Sequence, residues 1–147
     1  RKGAQESWRT TLYNDNPVIL MRYADVLLMY AEVENVLKDD GQARWALNKV
    51  RERVDLDPVE SSGTELRDAI RQERRLELAL EGSRFFDLVR WGDAAKVMNQ
   101  YYASEASRRS YYSDANFTAG KNEYLPIPQK QINYSGGLYQ QNNGWEK

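Results

Sequence analysis

Three carboxylates at strict helical spacing, Glu73, Glu77 and Glu81, are the residues of this chain most capable of chemistry. At i, i+4 and i+8 they stack one above another on a helix. On a helical wheel of residues 66–81, Leu66, Ala69, Ile70, Leu76 and Leu80 share one face. Glu73 and Glu77 fall inside that face and Glu81 at its edge. Two such carboxylates are the working groups of glycoside hydrolysis, one as acid and the other as nucleophile or base. A hydrolase sets its carboxyls on either side of a sugar, whereas these three project from one face of one helix. A buried carboxylate without a partner is costly, and arginines are close: Arg74, Arg75, Arg84 and Arg90. The stretch therefore reads as a helical hairpin pinned by a structural Glu–Arg network of Glu73, Glu77, Glu81, Arg84 and Arg90, with no catalytic residue. Gly82 supplies the left-handed residue that ends a helix, and Ser83 the cap of the next.

Composition removes most other chemistry. The 147 residues contain no cysteine and no histidine. Disulfides, thiolate nucleophiles, His-based triads and the usual zinc and di-iron sites are thereby excluded, and no metal or cofactor is expected. Lys and Arg number 21 against 22 Asp and Glu, a net charge of −1 that argues against nucleic acid as a partner. No apolar run approaches a membrane span and no signal-peptide pattern opens the chain. The opening Arg1-Lys2-Gly3 reads as an internal cut, so 1–147 is one domain or a fragment of one.

The elements that would position the acidic helix follow from periodicity. Residues 1–16, with Trp8 and Tyr13, form an irregular lead-in. Asn16-Pro17 starts a helix that runs to Leu37 and is apolar over most of its circumference. Such a helix is expected between neighbours, with Tyr23 and Tyr30 in the core. An Asp in Lys38-Asp39-Asp40-Gly41 caps a second helix, whose Ala43, Ala46, Leu47, Val50 and Val54 make a one-sided apolar stripe. Trp45 lies on its opposite, charged face, packed on a further helical layer or presented as an anchor for a partner protein. Thr64 caps the third helix.

Leu27-x-x-Tyr30-Ala31 and Ala43-x-x-x-Leu47 approximate the tetratricopeptide pattern. The expected fold is mainly α, with tetratricopeptide-like hairpins over 17–102 (17–55 and 64–102) stacked in a short superhelix. Residues 103–147 form a loop-rich wrapping segment that, with the end of the fourth helix, holds seven of the ten tyrosines. Within it, Tyr124-Leu125-Pro126-Ile127-Pro128 must be extended, and its apolar residues are expected to pack near Trp91.

Five stretches together resemble the C-terminal part of the SusD/RagB family. They are Pro17 through Glu32, Ala46-Leu-Asn48-Lys-Val-Arg51, Glu73-Arg-Arg75 through Gly82, Arg84-Phe-Phe-Asp87-Leu-Val-Arg90-Trp91-Gly92, and Tyr124-Leu-Pro-Ile-Pro128-Gln129. They run through nearly the whole chain, and the 73–92 block is the most specific. The resemblance implies a non-catalytic glycan-binding component of a lipid-anchored, cell-surface outer-membrane protein. It also implies a SusC-type TonB-dependent transporter as partner and an oligosaccharide as ligand, bound through the full-length protein. Stacking aromatics in this family come mostly from loops, which singles out Trp8, Tyr111 and Tyr112. The alternatives are a tetratricopeptide-like protein-interaction scaffold, with its footprint at Trp45, and a glycoside hydrolase built on the acidic helix.

Overall fold

The computed structural model describes residues 19–146. They form six α-helices: α1 (Tyr23–Leu37), α2 (Asp40–Glu52), α3 (Gly63–Glu77), α4 (Arg84–Arg90), α5 (Ala94–Glu105) and α6 (Gln129–Tyr134). A 3-10 turn lies at Ser110–Tyr112, and there is no strand among the described residues. The chain divides into two compact units, one ending at Leu78 and the other beginning at Ala79.

In the first unit α1 and α2 form a tetratricopeptide-like hairpin, with α3 packed on both. Alanines 24, 31, 43 and 46 let the two backbones approach, and Leu28, Leu47, Leu66 and Ile70 are fully buried between the three helices. The α1–α2 turn is closed by two backbone bonds, Lys38 N–H to the Asn35 carbonyl and Asp39 N–H to that of Glu34. Lys38 takes the left-handed conformation (φ 71°) usually left to glycine. Asp39 then caps α2 through the Gln42 N–H.

The structure corrects four expectations in this unit. The helix expected from residue 18 starts at Tyr23, because Arg22 is extended and residues 19–22 are not helical. It is not buried all round: Tyr23, Val26, Val33, Val36 and Leu37 are exposed, and Tyr30 is only partly covered. The unit packs α2 and α3 against the Ala24–Leu28–Ala31 side of α1. Nor does Thr64 cap α3, since Asp40 of α2 accepts from the Gly63 N–H at 2.7 Å. Lastly, α3 ends at Glu77 and not at 81. Leu76 and Leu80 are exposed, and Leu80 and Gly82 both adopt positive φ in the turn that follows.

The second unit has a smaller core of Leu88, Ala94 and Phe117, with Val89, Trp91, Val97, Met98 and Tyr102 against it. Gly92 divides α4 from α5: its N–H bonds the Val89 carbonyl, the Asp93 N–H bonds that of Leu88, and φ is 75°. Outside the 3-10 turn and α6, residues beyond α5 have no ladder to satisfy their backbone, and side-chain amides take part of that role. Asn99 clamps both the N–H and the C=O of Phe117 (2.7 and 2.9 Å), and Gln141 does the same for Ile127 (2.7 and 2.9 Å). In the first unit Asn48 clamps Val59 in the same way (2.8 and 3.1 Å). Residues 125–128, expected to lie extended near Trp91, carry no regular secondary structure. The segment is tied to the tail by Gln141 and by Asn142 on the Leu125 carbonyl, and Leu125 itself stays exposed.

Candidate functional site

The acidic pair of α3 is held by Arg51 of α2 and by Arg22 and Arg53, which flank α1 and α2. Arg51 Nη1 lies 2.7 Å from Glu73 Oε2. Glu77 accepts from Arg22 at 2.7 Å and from Arg53 at 2.6 and 2.8 Å. Arg22 also donates to the Glu77 backbone carbonyl at 2.8 Å, satisfying one of the orphan acceptors at the end of α3. The buried Arg74 reaches back to Asp25 of α1 at 2.9 Å. Burial pushes the Glu77 carboxyl up, but the hydrogen bonds and charges of Arg22 and Arg53 outweigh it and hold the pKa below the usual glutamate range. A glycosidase needs one carboxyl held protonated near neutrality, and Glu77 is shifted the opposite way. Glu81 sits in the turn beyond α3, exposed and off the helix that was to align it with Glu73 and Glu77.

Arg84 and Arg90 belong to the second unit. Both guanidinium groups lie over the Trp91 ring, at 5.8 and 5.1 Å from its centroid, and Arg90 also bonds the buried Asp87 at 3.0 Å. Their packing against an aromatic face was not legible in the charge pattern.

Of the three aromatics singled out for stacking, Trp8 lies outside the described residues. The structure brings Tyr111 and Tyr112 together and adds two tyrosines that sequence reasoning passed over. The Tyr112 ring stacks on Tyr102 (5.5 Å, 19°), Tyr101 meets both edge-on, and Tyr111 leans on Tyr112 with centroids 4.5 Å apart. Arg109 donates to the Tyr111 hydroxyl at 3.1 Å, and Glu105 pairs with Arg108 at 3.2 Å. The result is a four-ring patch on which Tyr111 is 67% exposed and Tyr101 44%. Ordered rings with a free face and polar groups at the edge suit the apolar face of a sugar. The signal available in the sequence was the recurrence of a Tyr-Tyr pair, once towards the end of α5 and again in the following turn.

Trp45 stands on α2 opposite the core face and is 49% exposed. Tyr30 meets its indole edge-on (6.4 Å, 90°). Beside it opens a groove of about 540 Å³ lined by Trp45, Lys49, Glu52, Asp55, Leu56 and Pro58, with Asn48 completing the lining. No group of carboxylates able to hold a metal ion occurs among the described residues, and no described helix is long and apolar enough to cross a membrane.

These features stand beside a clear pattern of similarity. The family model of the SusD family matches residues 1–145, and the chain belongs to that family. A SusD-like protein of Formosa agariphila is 44% identical over 96 residues, covering 58% of this chain and 19% of the relative. A second from the same organism is 33% identical over 90% of this chain and 25% of its own length. Among solved structures, a SusD homolog from Bacteroides thetaiotaomicron superposes with a TM-score of 0.70 at 31% identity, covering 90% of this chain and 27% of that one. Surface glycan-binding protein A of the same organism gives 0.68 at 35% identity, covering 88% and 25%. The chain thus spans about a quarter or less of the length of these two Formosa relatives.

Proposed function

We propose that this chain is part of a non-catalytic glycan-binding protein of the outer-membrane surface, lipid-anchored in its full-length form. In this reading it delivers oligosaccharide to a SusC-type TonB-dependent transporter. The observation that carries it is membership of the SusD family together with likeness to a surface glycan-binding protein over most of the chain. The chemistry supports binding over hydrolysis: Glu73 and Glu77 are engaged by arginines, and the Glu77 carboxyl is held ionised. Within this chain the tyrosine patch of Tyr101, Tyr102, Tyr111 and Tyr112 is the contact surface, with Tyr111 presenting the most open ring.

A glycan array of neutral polysaccharides tests the reading, because multivalent display detects weak sites. Retention on at least one glycan, lowered threefold or more by Tyr111→Ala, is the expected result. Retention of nothing, or release of reducing ends from any glycan, overturns the reading. Retention unchanged in a Tyr111→Ala/Tyr112→Ala double variant removes the tyrosine patch from it.

A further inference from the structure

We propose that the groove beside Trp45 is a second saccharide subsite, taking a neutral sugar unit of an oligosaccharide; it rests on the glycan-binding function proposed for the chain. Four features of the groove carry this. First, the indole is both open and held. It is half-exposed on the solvent side of α2, while Tyr30 of α1 meets it edge-on, and the Tyr30 hydroxyl lies 3.4 Å from Gln42 Oε1. A ring fixed in this way loses little conformational freedom when a ligand stacks on it.

Second, the far wall is rigid although it is a loop. Leu56 and Pro58 line it, and the backbone around them is strapped to α2 by three side chains. Arg51 donates to the Asp57 carbonyl at 2.8 Å, Asn48 clamps Val59, and Arg44 donates to the Ser61 carbonyl at 3.2 Å. Third, the rim supplies both kinds of hydrogen-bonding group. Lys49 and Glu52 pair at 2.8 Å with both side chains largely in water, and Asp55 stands beside them. Sugar hydroxyls donate and accept at once, so a lysine and two carboxylates around an apolar face match a ring with apolar CH faces and polar edges.

Fourth, the charge and extent of the lining select among occupants. One cation against two carboxylates disfavours an anionic ligand. The apolar part of the lining is only Trp45, Leu56 and Pro58, ringed by charge, which is short for the anchor side chains of a protein partner. A volume of about 540 Å³ lies in the range of small-ligand clefts.

The test follows the Trp45 indole N–H resonance of the 147-residue chain by nitrogen–proton NMR, assigned by its loss in Trp45→Phe. The probes are maltohexaose, cellohexaose, mannohexaose and xylohexaose, with hexagalacturonate as the anionic comparison. Expected is a saturable shift with at least one neutral oligosaccharide, at millimolar midpoint and several-fold weaker with the anion. The same shift should appear in Tyr111→Ala, and Leu56→Arg, which crowds the wall without entering the core, should abolish it. A stationary Trp45 resonance alongside oligosaccharide binding that Tyr111→Ala weakens overturns the subsite and leaves the glycan reading standing. A resonance that responds to no oligosaccharide while Trp45→Ala, folded by circular dichroism, loses capture of a membrane transporter also overturns it, in favour of a protein anchor. Silence of both Trp45 and the tyrosine patch overturns both.

Discussion

Arg22, the residue before α1, holds the end of α3 from 55 positions away, giving one guanidinium nitrogen to the Glu77 carboxylate at 2.7 Å and the other to the Glu77 backbone carbonyl at 2.8 Å. One side chain thus neutralises a mostly buried acid and caps the helix that carries it. Arg53, at the end of α2, completes the contact from a more exposed position. Glu77 is the point where the three helices of the first unit are joined by charge, in addition to their shared Leu–Ile core.

Removing Glu77 should therefore cost more than removing its exposed partner Arg53. Glu77→Ala is expected to destabilise by about 2–3 kcal/mol, below the cost of stranding a fully buried charge because Arg53 is half in water. Arg53→Ala should cost under about 1 kcal/mol. Urea denaturation of both variants checks this, and equal midpoints for Glu77→Ala and wild type would show that the contact contributes nothing.

The same carboxyl predicts an acid limb of stability. Its folded pKa is lowered, so below about 4.3, the ordinary glutamate value, the unfolded chain binds a proton that the folded chain resists. The Glu77 contribution is then complete above about pH 5 and is lost as pH falls through the lowered folded value. Denaturation midpoints measured from about pH 3 to 7 should fall on the acid side in wild type and fall less steeply in Glu77→Gln. Parallel curves would assign the acid limb to other groups.

How much of this was legible in the sequence differs from residue to residue. The stripe Ala43, Ala46, Leu47, Val50 defined the core face of α2 because one face of that helix meets the rest of the unit, but Val54, counted in the same stripe, lies beyond the helix end at Glu52 and is exposed. Glu73 and Glu77 showed that arginine partners must exist, but periodicity cannot say which. Nearby Arg84 and Arg90 were the obvious suppliers, whereas bonds to Glu73 and Glu77 come from Arg22, Arg51 and Arg53, far off in sequence. The end of α3 was misplaced because Leu80 continues the apolar pattern while its backbone turns left-handed. At the candidate sites, Tyr111 and Tyr112 carried a signal as adjacent rings in an irregular stretch. Tyr101 and Tyr102 carried only the recurrence of that pair, and it is the packing of the 3-10 turn on α5 that brings the two pairs together.

Asn48 illustrates a role hidden from periodicity, since its amide replaces a strand partner for Val59. Asn48→Ala is expected to cost about 1–3 kcal/mol, because a backbone donor and acceptor lose their partners together. Asn48→Asp keeps the acceptor and loses the donor, and should fall between. Hydrogen exchange at the Val59 amide gives a second readout: it should accelerate strongly in Asn48→Ala and little in Asn48→Asp. An unchanged Val59 exchange rate in Asn48→Ala would sink the clamp as a stabilising device.

The chain by itself should bind soluble oligosaccharide weakly, with dissociation constants of about 1 mM or above, an affinity of no more than about 4 kcal/mol. A tight sugar site needs several rigid groups converging on one ligand, and here each aromatic surface is shallow. The tyrosine patch opens mainly through Tyr111 and Tyr101, and the Trp45 groove offers one stacking ring with a charged rim. Each contact must offset the full cost of immobilising the ligand, so separate partial sites do not add to one strong one. The chain also spans about a quarter or less of the length of its Formosa relatives, leaving most of their surface unrepresented. Isothermal calorimetry against neutral hexasaccharides should give heats too small to fit below millimolar concentration. A micromolar isotherm would show that a complete site exists within these residues, and Tyr111→Ala and Trp45→Ala would locate it.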